Sequence, residues 1–279
     1  MSGKLTADII IFTPKVDIAS QTIKRQILSN YDFKEIKIGG KKVYMRESIC
    51  LADIEVDSIY AEGIENEFEA KLFIFATRHS AASGIPSLLT HAPGNWTEEA
   101  KFGGKPRAIC IAPASSLKIA LLELMRAAEE HNLSDWRVGL EVTHHGPYIE
   151  KTPTIFIELG SSERYWRNEI AARAVAQAIM MVAENRIKGE PKFRVGVGFG
   201  GPHYAPIFTK LVQRSDIAIG HIIPEYVFDK ISEREVEAAV MRTEGEVELA
   251  VVEWKGLKKR HRSFLLPIIE KLGLKMMRI

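Results

Sequence analysis

Short, nearly unbroken apolar runs along this chain alternate with longer stretches in which apolar residues return every third or fourth position. The first kind predicts strands buried on both faces, and the second predicts helices that cover them. Ala7–Thr13, Lys71–Thr77, Arg107–Ala112, Arg137–Thr143, Pro153–Leu159, Phe193–Phe199, Asp216–Ile223 and Val247–Trp254 read as strands, and Val43–Ile49 with Ile54–Tyr60 as a strand pair around a turn. Asp17–Ser29, Ser115–Asn132, Glu233–Arg242 and a stretch near Ser263–Leu272 read as helices. The longest predicted helix, Glu163–Lys188, is stopped by Gly189 and Pro191. In Ser115–Asn132 the residues Leu117, Ala120, Leu121, Leu124 and Ala128 share one face, and Ser115 or Ser116 can cap the start. This order predicts a three-layer α/β/α fold around a mainly parallel mixed sheet. With no repeat and no linker-like stretch, we expect a single domain over residues 1–279, with room for a small insertion at about 31–66.

Composition narrows the class. Hydrophobic residues make up 46% and charged residues 27%, ordinary for a folded soluble chain. The longest nearly apolar stretch, Ala174–Ala183, is far short of the ~20 residues of a membrane span, so no membrane partner is expected. The first twenty residues carry Asp8 and Asp17 and lack a signal peptide's apolar core, so we expect a cytoplasmic protein. Cys50 and Cys110 both sit in apolar runs and read as core residues in a reducing compartment. A net charge of +2 gives no global pull on nucleic acid, which disfavours a pure RNA- or DNA-binding module. Local basic patches remain: Gly39–Arg46, then Lys101, Lys105 and Arg107, and the dense run with Lys258, Lys259, Arg260 and Arg262. Glycines beside them permit close approach to a phosphate backbone.

The carboxyl ends of such strands are where ligands bind, and there the polar residues concentrate. His79, His91, His144, His145, His203 and His221 all fall at or near predicted strand ends, whereas His131 and His261 read as helix-surface residues. Glu158 lies inside an apolar strand, where a carboxylate is costly unless it is paired or functional. It faces either an arginine such as Arg164 or Arg173, or a site. Imidazoles and carboxylates are the usual ligands of catalytic zinc, so His91, His144, His145, Glu158 and His203 are candidate metal ligands. Glu141 or a non-ligating histidine such as His79 is a candidate to orient water. The N–H groups of Gly200 and Gly201 are candidates to hold an oxyanion. No HExxH motif and no GxSxG elbow is present. Gly196–Gly201 fits GxGxxG, but Pro202 and His203 follow where a helix should begin, so a dinucleotide fold is rejected.

Five motifs, in this order, carry a resemblance: Arg78-His79-Ser80, Leu89–Asn95 (LTHAPGN), Glu141–Pro147 (EVTHHGP), Pro153–Ser161 (PTIFIELGS) and Gly200–Pro206 (GGPHYAP). Together they resemble the archaeal and plant type of D-aminoacyl-tRNA deacylase, over nearly the whole chain. The resemblance implies a phosphorylase/hydrolase-like α/β/α fold and a monomer holding two zinc ions. It also implies an enzyme that hydrolyses the ester between a D-amino acid and tRNA. Metal-activated water would attack the ester, the basic patches would hold tRNA, and DNA is not an expected partner. A zinc metallopeptidase or amidase, or a nucleoside phosphorylase-like enzyme, on the same architecture is the alternative.

Overall fold

The computed structural model describes residues 4–38 and 40–279; Gly39, at the head of one basic patch, and the start of the expected domain lie outside them. The first half of the chain gives β1 (Leu5–Thr6), β2 (Ile9–Pro14), α1 (Ile18–Asn30), β3 (Lys34–Ile38), β4 (Lys41–Arg46), β5 (Ile49–Ile54), β6 (Phe68–Glu69), β7 (Leu72–Ser80), β8 (Ser87–His91), α2 (Ala114–Glu130) and β9 (Arg137–Leu140). The second half gives β10 (Thr154–Ser161), α3 (Glu163–Trp166), α4 (Glu169–Lys188), β11 (Arg194–Phe199), α5 (Pro206–Arg214), β12 (Ile217–Ile223), α6 (Glu233–Met241), β13 (Val247–Val252), α7 (Lys259–Lys271) and β14 (Lys275–Arg278).

The layers are those expected, but the strands divide among separate sheets. An eight-stranded sheet runs β3-β4-β5-β2-β7-β10-β8-β9, a four-stranded one runs β12-β11-β13-β14, and β1 pairs with β6. Most ladders are parallel; β3–β4, β4–β5 and β10–β8 are antiparallel. The sheets separate because β9 stops at Leu140 and the chain leaves as a loop. Val142 N–H then donates to His203 O (3.0 Å) and Thr143 N–H to Ile222 O (3.1 Å), so the loop stitches the two sheets together.

Alternation along β2, β7 and β10 gives the large sheet two unlike faces. Ile9, Ile11, Leu72, Ile74, Ile155 and Ile157 pack against the apolar faces of α1, α2 and α4. Phe12, Phe73, Phe75 and Phe156 point the other way, with centroids 4.9–5.1 Å apart along the row. Cys50 and Cys110 are buried on that aromatic side.

Several expected elements moved, each for a local reason. The predicted helix Glu163–Lys188 is broken, because Asn168 Oδ1 accepts from Ala171 N–H (2.9 Å) and starts α4 afresh. The expected strand Arg107–Ala112 is extended and largely buried but makes only isolated bridges, Gly94–Ile109 and Ala112–Thr243. Arg107, at φ 51, bends it away from any continuous ladder. The strand pair lies earlier than expected, with β4 against β5 and Glu47 turning between them at φ 53. Residues 31–66 supply β3, β4 and β5, one edge of the large sheet. β8, α5 and β14 had no clear sequence signal.

Candidate active site

Strand register builds the first half of the site. β10 pairs Phe156 with Phe75 and His91, Glu158 with Thr77 and Leu89, and Gly160 with His79. Period two therefore places His79, His91 and Glu158 on the aromatic face, around Phe156. The Phe156 ring stacks on His91 (5.3 Å) and meets His145 edge-on (5.0 Å). Gly160 is required: a Cβ there would lie 2.5 Å from His79 O and 2.8 Å from its Nδ1.

Loops bring the rest. Beyond β9 the chain delivers Glu141, His144 and His145, with His145 held at φ 45, an uncommon backbone for a side chain of this size. That conformation is fixed from outside. Gly94 N–H donates to His145 O (2.7 Å), and Trp96 Nε1–H donates to Thr143 O (2.9 Å). The turn after β11 adds His203. Ring centroids of His91, His144, His145 and His203 lie 4.2–4.8 Å from their neighbours. Alternation from β9 would have split His144 from Glu141 and His145; the loop gathers all three.

The hydrogen bonds decide which ring nitrogen faces the centre. Nδ1 of His144 lies 2.8 Å from Val142 O, that of His145 2.6 Å from Gly146 O, and that of His91 3.2 Å from Ala92 O. A carbonyl only accepts, so each Nδ1 carries the proton. Nδ1 of His79 lies 3.0 Å from Ser161 Oγ, whose own proton goes to Ile85 O, so this Nδ1 also donates. Burial pulls all four imidazoles below the usual histidine range, and the neighbouring imidazoles add to this for His79, His144 and His145. Four neutral rings thus aim Nε2 lone pairs inward. They meet Glu141 and Glu158, only 2% and 3% exposed.

Among those inward atoms, His79 Nε2 meets only one donor, the Tyr204 hydroxyl, at 3.5 Å. His79 Nε2 is 3.6 Å and His203 Nε2 2.9 Å from Glu141 Oε1, the latter close but off the line of a hydrogen bond; His91 Nε2 is 3.7 Å from Glu158 Oε1. His91 Nε2 and both oxygens of Glu141 are buried with no hydrogen-bond partner. Burial would raise the Glu141 carboxyl, but the His203 imidazole beside it holds it below the usual carboxylate range. Burial and the charge of Glu141 push Glu158 well above that range. Three overlapping donor sets, His91–His144–His145, Glu141–His144–His203 and His91–Glu141–Glu158, each keep their ligand atoms within 4.8 Å. Outward Nδ1–H groups bonded to carbonyls, with converging lone pairs and a donor-less carboxylate, are what a cation site requires.

Other sequence candidates fall elsewhere. Gly200 N–H already donates to Ile223 O (2.8 Å) and is not free to hold an oxyanion, while Gly201 packs on the Glu253 carboxylate. His221 is fully buried away from the cluster, bonded to Thr143 Oγ1 (2.9 Å) and Cys110 O (3.1 Å). His261 is buried rather than on a helix surface, with Nε2 3.0 Å from Asp229 Oδ1. Glu158 faces Glu141 and His91, not Arg164 or Arg173. Among the basic residues, Lys101 lines the cleft beside the cluster. Lys105 lies over the Tyr148 ring (4.6 Å), and Arg107 is held by Glu98, Glu235 and Lys230 O. Lys258 pairs with Glu225 and Arg260 with Asp229, Arg262 donates to Trp254 O and Leu257 O, and Lys259 opens α7.

Two clefts meet at His144, His145, His203 and Phe102. One, of about 420 Å³, is walled by Asp57, Ser58, Thr77, Arg78 and Tyr204; the other, of about 320 Å³, by Trp96, Lys101, Tyr226 and Lys230. Sequence reasoning missed Asp17, Asp57, Phe102, Ser161, Tyr204 and Tyr226. Ser161 and Tyr204 lie in two of the motifs without being given a role, and Asp17 opens a predicted helix; it caps α1 and accepts from Thr77 Oγ1 (2.9 Å) and Arg78 N–H (2.8 Å).

Comparison with known proteins extends the geometry. Residues 66–277 match the family described as D-aminoacyl-tRNA deacylase. The D-aminoacyl-tRNA deacylase of Pyrococcus furiosus is 38% identical over 275 residues, covering 95% of this chain and 97% of that protein. That of Methanosarcina barkeri is 32% identical over 281 residues, covering 97% and 89%. A crystal structure of a conserved protein of unknown function, 28% identical, superposes with a TM-score of 0.87 over 100% of this chain and 96% of that one.

Proposed function

This chain belongs to the D-aminoacyl-tRNA deacylase family, and we propose that its histidine–carboxylate cluster is where it hydrolyses the ester joining a D-amino acid to tRNA. The observation that carries this placement is the convergence of Nε2 lone pairs on two buried carboxylates, one of them with no donor. We read the cluster as a zinc site, with two ions as the family resemblance implies. His91, His144, His145, Glu158 and His203 would hold the metal. When bound, zinc supplies a Lewis acid that brings a water's acidity toward neutrality and polarises an ester carbonyl.

The chain's own groups do the rest. Glu141, kept ionised by the His203 imidazole beside it, can accept a proton from water at Oε1. His79 presents an unprotonated Nε2 3.6 Å from that oxygen and can take the proton onward to the leaving hydroxyl. Ser161 holds the His79 tautomer that leaves Nε2 open. Phe156 and the row of phenylalanines behind it exclude water from one side of the cluster. Lys101 and the basic residues at the start of α7 attract the tRNA phosphates, so binding should weaken steeply with salt. Such an enzyme works in the cytoplasm, and among the described residues no helix is long and apolar enough to cross a membrane.

The test is turnover of D-tyrosyl-tRNA and L-tyrosyl-tRNA before and after chelation, with metal content verified by elemental analysis. We expect D-selective hydrolysis that disappears with the metal and returns with added zinc. Full turnover by verified metal-free protein would overturn the zinc reading.

A further inference from the structure

The two clefts flanking the cluster differ in charge and in ring content, and the difference assigns them. Resting on the reading above, we propose that the smaller cleft receives the terminal nucleoside of the tRNA acceptor strand, and that the larger receives the aminoacyl group. The ester between them would then lie over His144, His145 and His203, the histidines both clefts share.

The smaller cleft has the parts of a single-stranded nucleic acid site. Phe102, 66% exposed, stands where the two clefts meet, and Tyr226 is a large ring left 53% exposed at the wall of the smaller one. Trp96 closes it as a fixed surface, 4% exposed and tied to Thr143 O through its indole N–H. Lys101 and Lys230 stand at the mouth, with side chains 77% and 56% exposed. Both reach Glu99 (3.8 and 3.0 Å), but exposed pairs of this kind contribute little, and the trio keeps one positive charge over. Exposed rings for a base and lysines for its phosphate are how unpaired nucleotides are held.

The larger cleft is unsuited to phosphate. Its one arginine, Arg78, is committed to Asp57 and lies 3.5 Å from the buried Asp17, so among the described residues no free cation stands there. Asp57, Ser58 and Thr77 instead offer acceptors to the free ammonium of an esterified amino acid.

The experiment uses 5′-AMP as probe, titrated onto the whole protein, alongside KM and kcat for D-tyrosyl-tRNA. Tyr226→Ala and Lys230→Ala should each weaken 5′-AMP binding and raise KM by about tenfold, the scale of one lost stack or phosphate contact, with kcat within about twofold. Tyr226→Phe, which keeps the ring, should bind 5′-AMP like the wild type. Asp57→Asn should raise KM and leave 5′-AMP binding unchanged. Loss of 5′-AMP binding in Asp57→Asn but not in Tyr226→Ala would reverse the assignment and overturn it, as would unchanged binding and KM in both alanine variants. A wild type that binds 5′-AMP through Tyr226 but hydrolyses no D-tyrosyl-tRNA would instead overturn the enzymatic reading and leave the nucleoside site standing.

Discussion

His221 and His91 are both removed from water, yet their surroundings differ in one respect. In the interior beside β12, His221 has both ring nitrogens occupied, one by Thr143 Oγ1 and the other by Cys110 O. In the cluster, His91 has Nδ1 bonded to Ala92 O, while its Nε2 has no hydrogen-bond partner and faces the Glu158 and Glu141 carboxyls. A saturated histidine is structure. A buried imidazole half satisfied, beside a donor-less carboxylate, carries a cost that a group bound there would offset. Burial and histidine identity are common to the two regions; the inventory of partners separates them.

The largest effect should come from the cluster. Glu141→Gln is expected to lower kcat by about 10²–10⁴-fold, the contribution of a positioned proton acceptor. Its unfolding free energy should not fall, because the carboxylate is buried without a donor in the unliganded protein. Urea denaturation beside single-turnover kinetics checks both halves. A variant that lost stability but kept its turnover would place Glu141 with the structural group.

His221 should show the opposite pattern. Burial lowers its pKa from 6.5 to about 3, so the unfolded chain takes up a proton that the folded chain refuses. The sign follows: its contribution is full above pH 6.5 and is lost as pH falls toward 3, by about 1.4 kcal/mol per pH unit. His221→Gln should therefore give a shallower loss of stability between pH 6 and pH 4, by about that slope, with kcat at pH 7 unchanged. Equal slopes in the two proteins would remove His221 from the structural side of the comparison.

The smallest effect tests a boundary case. Tyr204 stands between the two regions in character, with its ring beside Arg137 (4.2 Å) and its hydroxyl 3.5 Å from His79 Nε2. At that distance Tyr204→Phe should cost about threefold or less in kcat/KM. A drop approaching that of Glu141→Gln would move Tyr204 into the proton-transfer machinery.

Much of this was legible in the residue order. The apolar runs located β2, β7, β10, β11, β12 and β13, and alternation along β10 put Glu158 beside Phe156 on one face. The strand-end histidines marked the neighbourhood of the site. The weak signals were short or broken: β8 is five residues ending in His91, and the run before α2 looked like a strand because its residues are buried, although nothing pairs with it continuously. The Gly200–Gly201 turn looked like an anion cradle, but Ile223 O had already taken the Gly200 N–H.

The sequence by itself determined which residues are apolar, their period, and so the layers and the faces; those are local properties, set by side-chain volume and backbone geometry. The tertiary structure decided which histidines share a centre. That depends on loops held by distant partners, such as Gly94 and Trp96 gripping the backbone around His144 and His145. It also depends on whether a buried nitrogen finds a second partner, and such a partner comes from remote chain: Cys110 O supplies His221 from 111 residues away. Spacing along the chain carries no record of such meetings, because they are fixed only when the sheets dock.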